Sequence, residues 1–204
     1  MRFFASEAYY PFTPIPCPNF DHVILLCEPI HRLFSRAFRL HDPNRTVRAL
    51  LERTVVHDPQ NTSLVKSIMP SFAGTASFNN PMIRILLGPR MFRAPLGGIT
   101  RRHYQAAVQL LQNFTLVVPT EKLSDPRVAH ELRRRYRTQA AKRVPWRSAV
   151  MPHLNSKRWM LPPGASLSRA VWDLIRFHNR WDVALHRHAV ARFESVARSW
   201  EPGL

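Results

Sequence analysis

Cysteine is nearly missing from this chain. Cys17 and Cys27 are its only two, so a disulfide-stapled scaffold is excluded and at most one bridge can form. Glycine is also scarce: Gly74, Gly88, Gly97, Gly98, Gly164 and Gly203 are all of it, and none stands in a Gly-x-x-x-x-Gly-Lys-Ser/Thr arrangement. No apolar run approaches the ~20 residues that span a bilayer, and the N-terminus lacks the apolar stretch of a signal peptide. His178, His186 and His188 have no Cys or carboxylate set at ligand spacing, so no metal is expected. Zinc-finger spacing, an RNP signature and a helix-turn-helix pattern are likewise absent. Acidic side chains are few, 13 against 30 Lys+Arg, and the formal charge is +17. A surface of that sign attracts polyanions: sulfated or uronic-acid glycans, nucleic acid or anionic membrane.

What is present starts with proline. Pro11, Pro14, Pro16 and Pro18 force an extended segment over residues 1–21. Val23-Ile24-Leu25-Leu26 is a short apolar run that predicts a parallel strand covered on both faces. It leads through Cys27-Glu28 into a helix starting at Pro29, where a missing N–H costs nothing, with Ile30, Leu33, Phe34 and Phe38 as its buried stripe. Free N–H groups at the helix start, the Ser35 hydroxyl and the Arg32 guanidinium form a candidate phosphate seat; the competing reading is a strand and helix with no ligand. Further helices are expected over 43–57 and 61–72. Another is capped by Thr100 and runs to about Gln112, followed by a second buried strand, Phe114 to Val118, stopped by Pro119. Helix followed by strand fits an α/β crossover. At 204 residues and 45% hydrophobic content, one core and one domain are expected. Residues 22–120 form its α/β part and 121–165 a basic region in which Arg127 to Arg158 stand among Tyr136, Trp146 and Trp159. Residues 166–200 are expected to form a last helix that bends near Asn179–Trp181.

In order along the chain, Glu28-Pro29-Ile30-His31-Arg32-Leu33-Phe34-Ser35, Phe78-Asn79-Asn80-Pro81-Met82-Ile83-Arg84-Ile85-Leu86-Leu87-Gly88, Pro95 to Thr100, Leu111-Gln112-Asn113-Phe114, His153-Leu154-Asn155-Ser156 and Phe177 to His186 resemble the blocks of PAPS-dependent sulfotransferases of the carbohydrate, Golgi type. The first block resembles the strand-Arg-x-Pro-x-x-Arg-x-x-Ser segment that holds the 3′-phosphate of PAPS (3′-phosphoadenylyl sulfate). The resemblance implies a P-loop-NTPase-like α/β fold with a small parallel sheet flanked by helices, and transfer of a sulfuryl group from PAPS to a carbohydrate hydroxyl without a metal. It assigns Ser35 and Arg32 to the phosphate, Asn155 and Ser156 to closure over the nucleotide, and Asn80 and Arg84 to an acidic glycan acceptor. Glu7 or its neighbours would be the general base, against the alternative of a solvated terminal carboxylate.

Two departures bear on activity. Cys27 stands where the family has its first phosphate-binding Arg, and a thiol cannot make the bidentate charged contact. No Lys-bearing loop for the 5′-phosphosulfate precedes residue 22, so the chain looks like a domain truncated ahead of its donor loop, its start at Met1 open to question. Complete relatives act in the Golgi lumen or membrane. Three sequons, at Asn44, Asn61 and Asn113, would suit a lumenal protein. The alternative is a non-catalytic basic protein that binds nucleic acid or packs within a large assembly.

Overall fold

The structure, a computed structural model, describes residues 21–33, 79–95, 97–135 and 169–200. Its sheet has two strands among these residues, β1 (Val23–Leu26) and β2 (Leu116–Pro119), paired in parallel with Val23 against Leu116 and Leu26 against Pro119. The expected helix after β1 is present from Pro29, its described part, α1, covering residues 29–33. Next come α2 (Pro81–Leu87), α3 (Pro89–Phe92) and α4 (Arg101–Gln112). After β2 follow a 3₁₀ turn (Thr120–Lys122), α5 (Pro126–Arg135), α6 (Arg169–His178), α7 (Arg180–Ala197) and a last 3₁₀ turn (Arg198–Trp200). The result is a mixed α/β unit, mostly helical. No described helix is long and apolar enough to cross a membrane.

Pleating of β2 divides the core. Val117 packs with Leu26, Ile83, Leu86, Leu111 and Leu185 on one side, while Leu116 and Val118 pack with Val128, Phe193 and Ala197 on the other. Helix α7 serves both sides, because Leu185, Ala189, Phe193 and Ala197 recur every four residues along one stripe. The expectation that β1 is covered on both faces needs correction: Ile24 and Leu26 face the first cluster, but Leu25 is 49% exposed.

Local chemistry accounts for the helix boundaries. Thr100 starts α4 as expected, in a capping box where His103 takes the place of the usual Glu or Gln: His103 Nδ1 accepts the Thr100 N–H at 3.0 Å. Helix α2, absent from the sequence reading, has Pro81 at its first position and ends at Gly88, whose φ of 87° suits glycine. Strand β2 starts at Leu116 because Thr115 Oγ1 accepts the His22 N–H at 3.2 Å, while Phe114 is buried just ahead of it. The bend expected near Asn179 is a full break between α6 and α7.

Candidate functional site

The corner after β1 was expected to hold an anion. Glu28 Oε2 accepts the His31 N–H at 2.5 Å, and Arg32 N–H bonds Glu28 O at 2.9 Å. One leading N–H of α1 is therefore already satisfied by a carboxylate of the chain itself, which corrects the expectation that the helix start is free. Cys27 is a free thiol, half-buried. Arg32 is half-buried too, and its guanidinium has no hydrogen bond or ion pair among the described residues; it acts on the Asp182 carboxyl through space. Ser35, the expected partner in the phosphate seat, lies outside the described residues, as do Glu7, Asn155, Ser156 and the helices expected over 43–57 and 61–72.

Asn80 and Arg84, expected to face a cleft, are buried, at 2% and 0% exposure. Arg84 spends its donors on the chain itself. Nε bonds Asn79 O at 2.6 Å, Nη1 bonds Met91 O and Ala94 O at 2.8 and 2.6 Å, and Nη2 bonds Asn79 Oδ1 and Pro95 O at 2.8 and 2.9 Å. That uses all five N–H groups of a guanidinium and leaves none for a sugar carboxylate. Burial pulls the Arg84 pKa below its ordinary value, and the Asp182 charge opposes that.

Asn80 belongs to a reciprocal clasp between two helix starts. It precedes α2 in a left-handed conformation (φ 48°), yet its Oδ1 accepts the N–H groups of Trp181 and Asp182 at 3.0 Å each, in the first turn of α7. Asp182 answers by accepting Met82 N–H at 2.7 Å and Ile83 N–H at 2.9 Å, in the first turn of α2. Asn179 Oδ1 accepts Asn80 N–H at 3.2 Å, and Asn79 and Asn80 each donate to His178 O at 2.8 Å. Each helix is capped by a side chain of the other. Burial pushes the Asp182 carboxyl up to about 7, against the pull of the Met82 and Ile83 N–H groups and of Arg32 and Arg84.

The parallel register brings a second group to the carboxyl edge of the sheet. With Leu26 opposite Pro119, Cys27-Glu28 and Thr120-Glu121 leave the strands side by side. There Glu121 Oε1 lies 2.7 Å from His186 Nε2 on α7. Burial pushes the Glu121 carboxyl up, but hydrogen bonds from His186 and the backbone, with the charges of His186 and Lys122, outweigh it and hold the group below its ordinary value. This pair, like Asp182, escaped the sequence reading. The signal for Asp182 was the Asn179-Arg180-Trp181-Asp182 spacing, whose acid falls in the first turn of a helix.

The basic region begins as a charge network rather than an open patch. Arg127 binds Asp125 at 2.6 Å and Glu194 at 3.4 Å, Lys122 binds Glu194 at 2.5 Å, and Arg134 and Arg135 flank Glu131 at 2.6 and 2.5 Å. Hydrogen bonds from Arg134, then Arg135, hold the Glu131 carboxyl below its ordinary value although its side chain is only 1% exposed. The rest of the region, from residue 136 through Arg158, lies outside the described residues. Among the described residues no group of three or more His, Cys, Asp or Glu is arranged to hold a metal ion. Set against models of protein families, curated proteins and solved structures, the chain finds no match.

Proposed function

We propose that this chain is a sulfotransferase-type α/β domain of P-loop-like fold, of the kind that moves a sulfuryl group from PAPS to a hydroxyl of an acidic carbohydrate. The supporting observation is the corner after β1. A strand with a parallel neighbour turns there into a helix whose first turn carries the half-buried Arg32 guanidinium, which has no hydrogen bond or ion pair among the described residues. Such a cation, at the carboxyl end of a parallel strand, suits a ribose phosphate. The clasp adds support of a different kind, because it joins two blocks of the resemblance about 100 residues apart, one around Asn80 and one around Asp182.

In the proposed reaction a base, Glu7 in the sequence reading, takes the proton of the acceptor hydroxyl. The acceptor oxygen forms its bond to sulfur as the bond from sulfur to the 5′-phosphate oxygen breaks, and PAP departs. Arg32 and Ser35 hold the 3′-phosphate, and Asn155 and Ser156 close over the nucleotide.

Cys27, in place of an Arg, and the Glu28 carboxylate already seated on the helix start favour a second reading: a non-catalytic basic protein that keeps the fold and binds nucleic acid or packs in a larger assembly. Calorimetric titration of PAP decides between them. The expected result is PAP binding, measured in the chain and in a form extended upstream, that survives rising salt and is weakened by Ser35→Ala and by Arg32→Ala. PAP affinity no different from that of an unrelated anion of equal charge, falling equally with salt, supports the second reading.

A further inference from the structure

From Pro59 to Thr120 the sequence has no Asp or Glu. Within that stretch Arg90, Arg93, Arg101 and Arg102 are all exposed, and among the described residues none of them has an ion pair or a side-chain hydrogen bond. Several cations elsewhere do meet acids: Lys122 and Arg127 meet Glu194, and Arg134 and Arg135 meet Glu131. The backbone carrying the four arginines is also held in place. Buried Arg84 draws in the carbonyls of Met91, Ala94 and Pro95, Gly98 N–H closes a turn onto Pro95 O at 3.0 Å, and buried Ile99 anchors the entry to α4. The positive charge is thus mounted on a fixed loop and helix start, which lowers the ordering cost of binding.

We propose that the surface bearing Arg90, Arg93, Arg101 and Arg102 docks a sulfated or carboxylated polysaccharide. Guanidinium groups pair bidentately with sulfate and carboxylate, and all four cations are Arg. A nucleic acid would gain from aromatic rings beside the charges, but Phe92 is half-buried and Tyr104 is stacked on Trp181 at 5.9 Å. The location rests on the charge distribution alone; the choice of a glycan as the polyanion rests on the proposed transfer to a carbohydrate.

The test is fluorescence anisotropy of a size-defined heparin oligosaccharide with the full chain over a salt series, compared with single-stranded RNA of equal charge. Replacing all four arginines by Gln is expected to weaken heparin binding at least about hundredfold and to flatten its salt dependence. The control Arg187→Gln/Arg198→Gln, two exposed cations elsewhere, is expected to cost less than about threefold. If the fourfold variant fails to fold, Arg90→Gln/Arg93→Gln and Arg101→Gln/Arg102→Gln are compared with the same control. Equal loss per charge in patch and control overturns the proposal, as does tighter RNA binding through the same four residues. PAP titration of the same proteins separates the two readings: wild type that binds heparin through the patch but not PAP keeps this surface and removes the sulfotransferase assignment.

Discussion

At the scale of single residues, the most constrained group is Arg84, a cation with no exposure whose donors all end on carbonyl or amide oxygens. Arg84→Met keeps the bulk but strands the carbonyls of Met91, Ala94 and Pro95, and is expected to cost about 3 kcal/mol in urea denaturation. Asp182 and Glu131 answer to pH in opposite senses. With its folded pKa raised to about 7, Asp182 holds a proton more tightly in the folded chain than in the unfolded one. Stability from this group therefore falls as pH rises from the ordinary carboxylate range through about 7 and is level above that. Thermal melts should show wild type gaining on Asp182→Asn as pH is lowered across that window. Glu131, held low by Arg134 and Arg135, stabilises the chain above its unfolded pKa, and that contribution is lost as pH falls through the folded value. Wild type should accordingly lose ground to Glu131→Gln only in more acid solution. Neither behaviour was legible in the sequence, because a carboxylate's burial and partners depend on which distant elements close over it.

At the scale of elements, the clasp explains why α2 and α7 hold their places without conventional caps. Asn80→Gly keeps the left-handed backbone but removes the side-chain bonds to Trp181 N–H, Asp182 N–H and His178 O, with an expected cost of about 1–3 kcal/mol. Asn80→Ala should cost about 1 kcal/mol more, since a Cβ strains φ 48° without the local bonding that lets Asn adopt it. Equal stability of the two variants in denaturant melts would count against that account. The sequence reading recovered β1, α4 with its Thr100 cap and β2, though β2 starts two residues later than expected, because local periodicity and capping chemistry specify them; the bend expected near Asn179 is a full break between two helices. It missed α2 because the helix is a mere seven residues long and owes its start to Asp182, far along the chain.

At the scale of the whole molecule, α7 binds the two halves of the core into one body. Leu185 lies in the cluster with Val117, Phe193 in the cluster with Val118, and Arg192 bonds the carbonyls of Leu111, in the last turn of α4, and of Phe114, just beyond it. Leu185→Ala and Phe193→Ala are each expected to cost about 2–5 kcal/mol and to lower a single cooperative transition followed by calorimetry. Two separate transitions, one sensitive to each substitution, would show that the clusters melt independently.

Some of this was settled by the sequence alone: the excess of positive charge, the two apolar strand segments, the Pro29 helix start and the Thr100 cap. Those follow from composition and from interactions within a few residues, which any chain path preserves. Tertiary structure alone decided that Arg84 and Asn80 face inward, that Glu121 meets His186, and that Asp182 caps a helix 100 positions earlier. Hydrogen-bond partners that far apart are chosen by how the elements pack, and burial then turns ordinary side chains into groups with a shifted charge equilibrium.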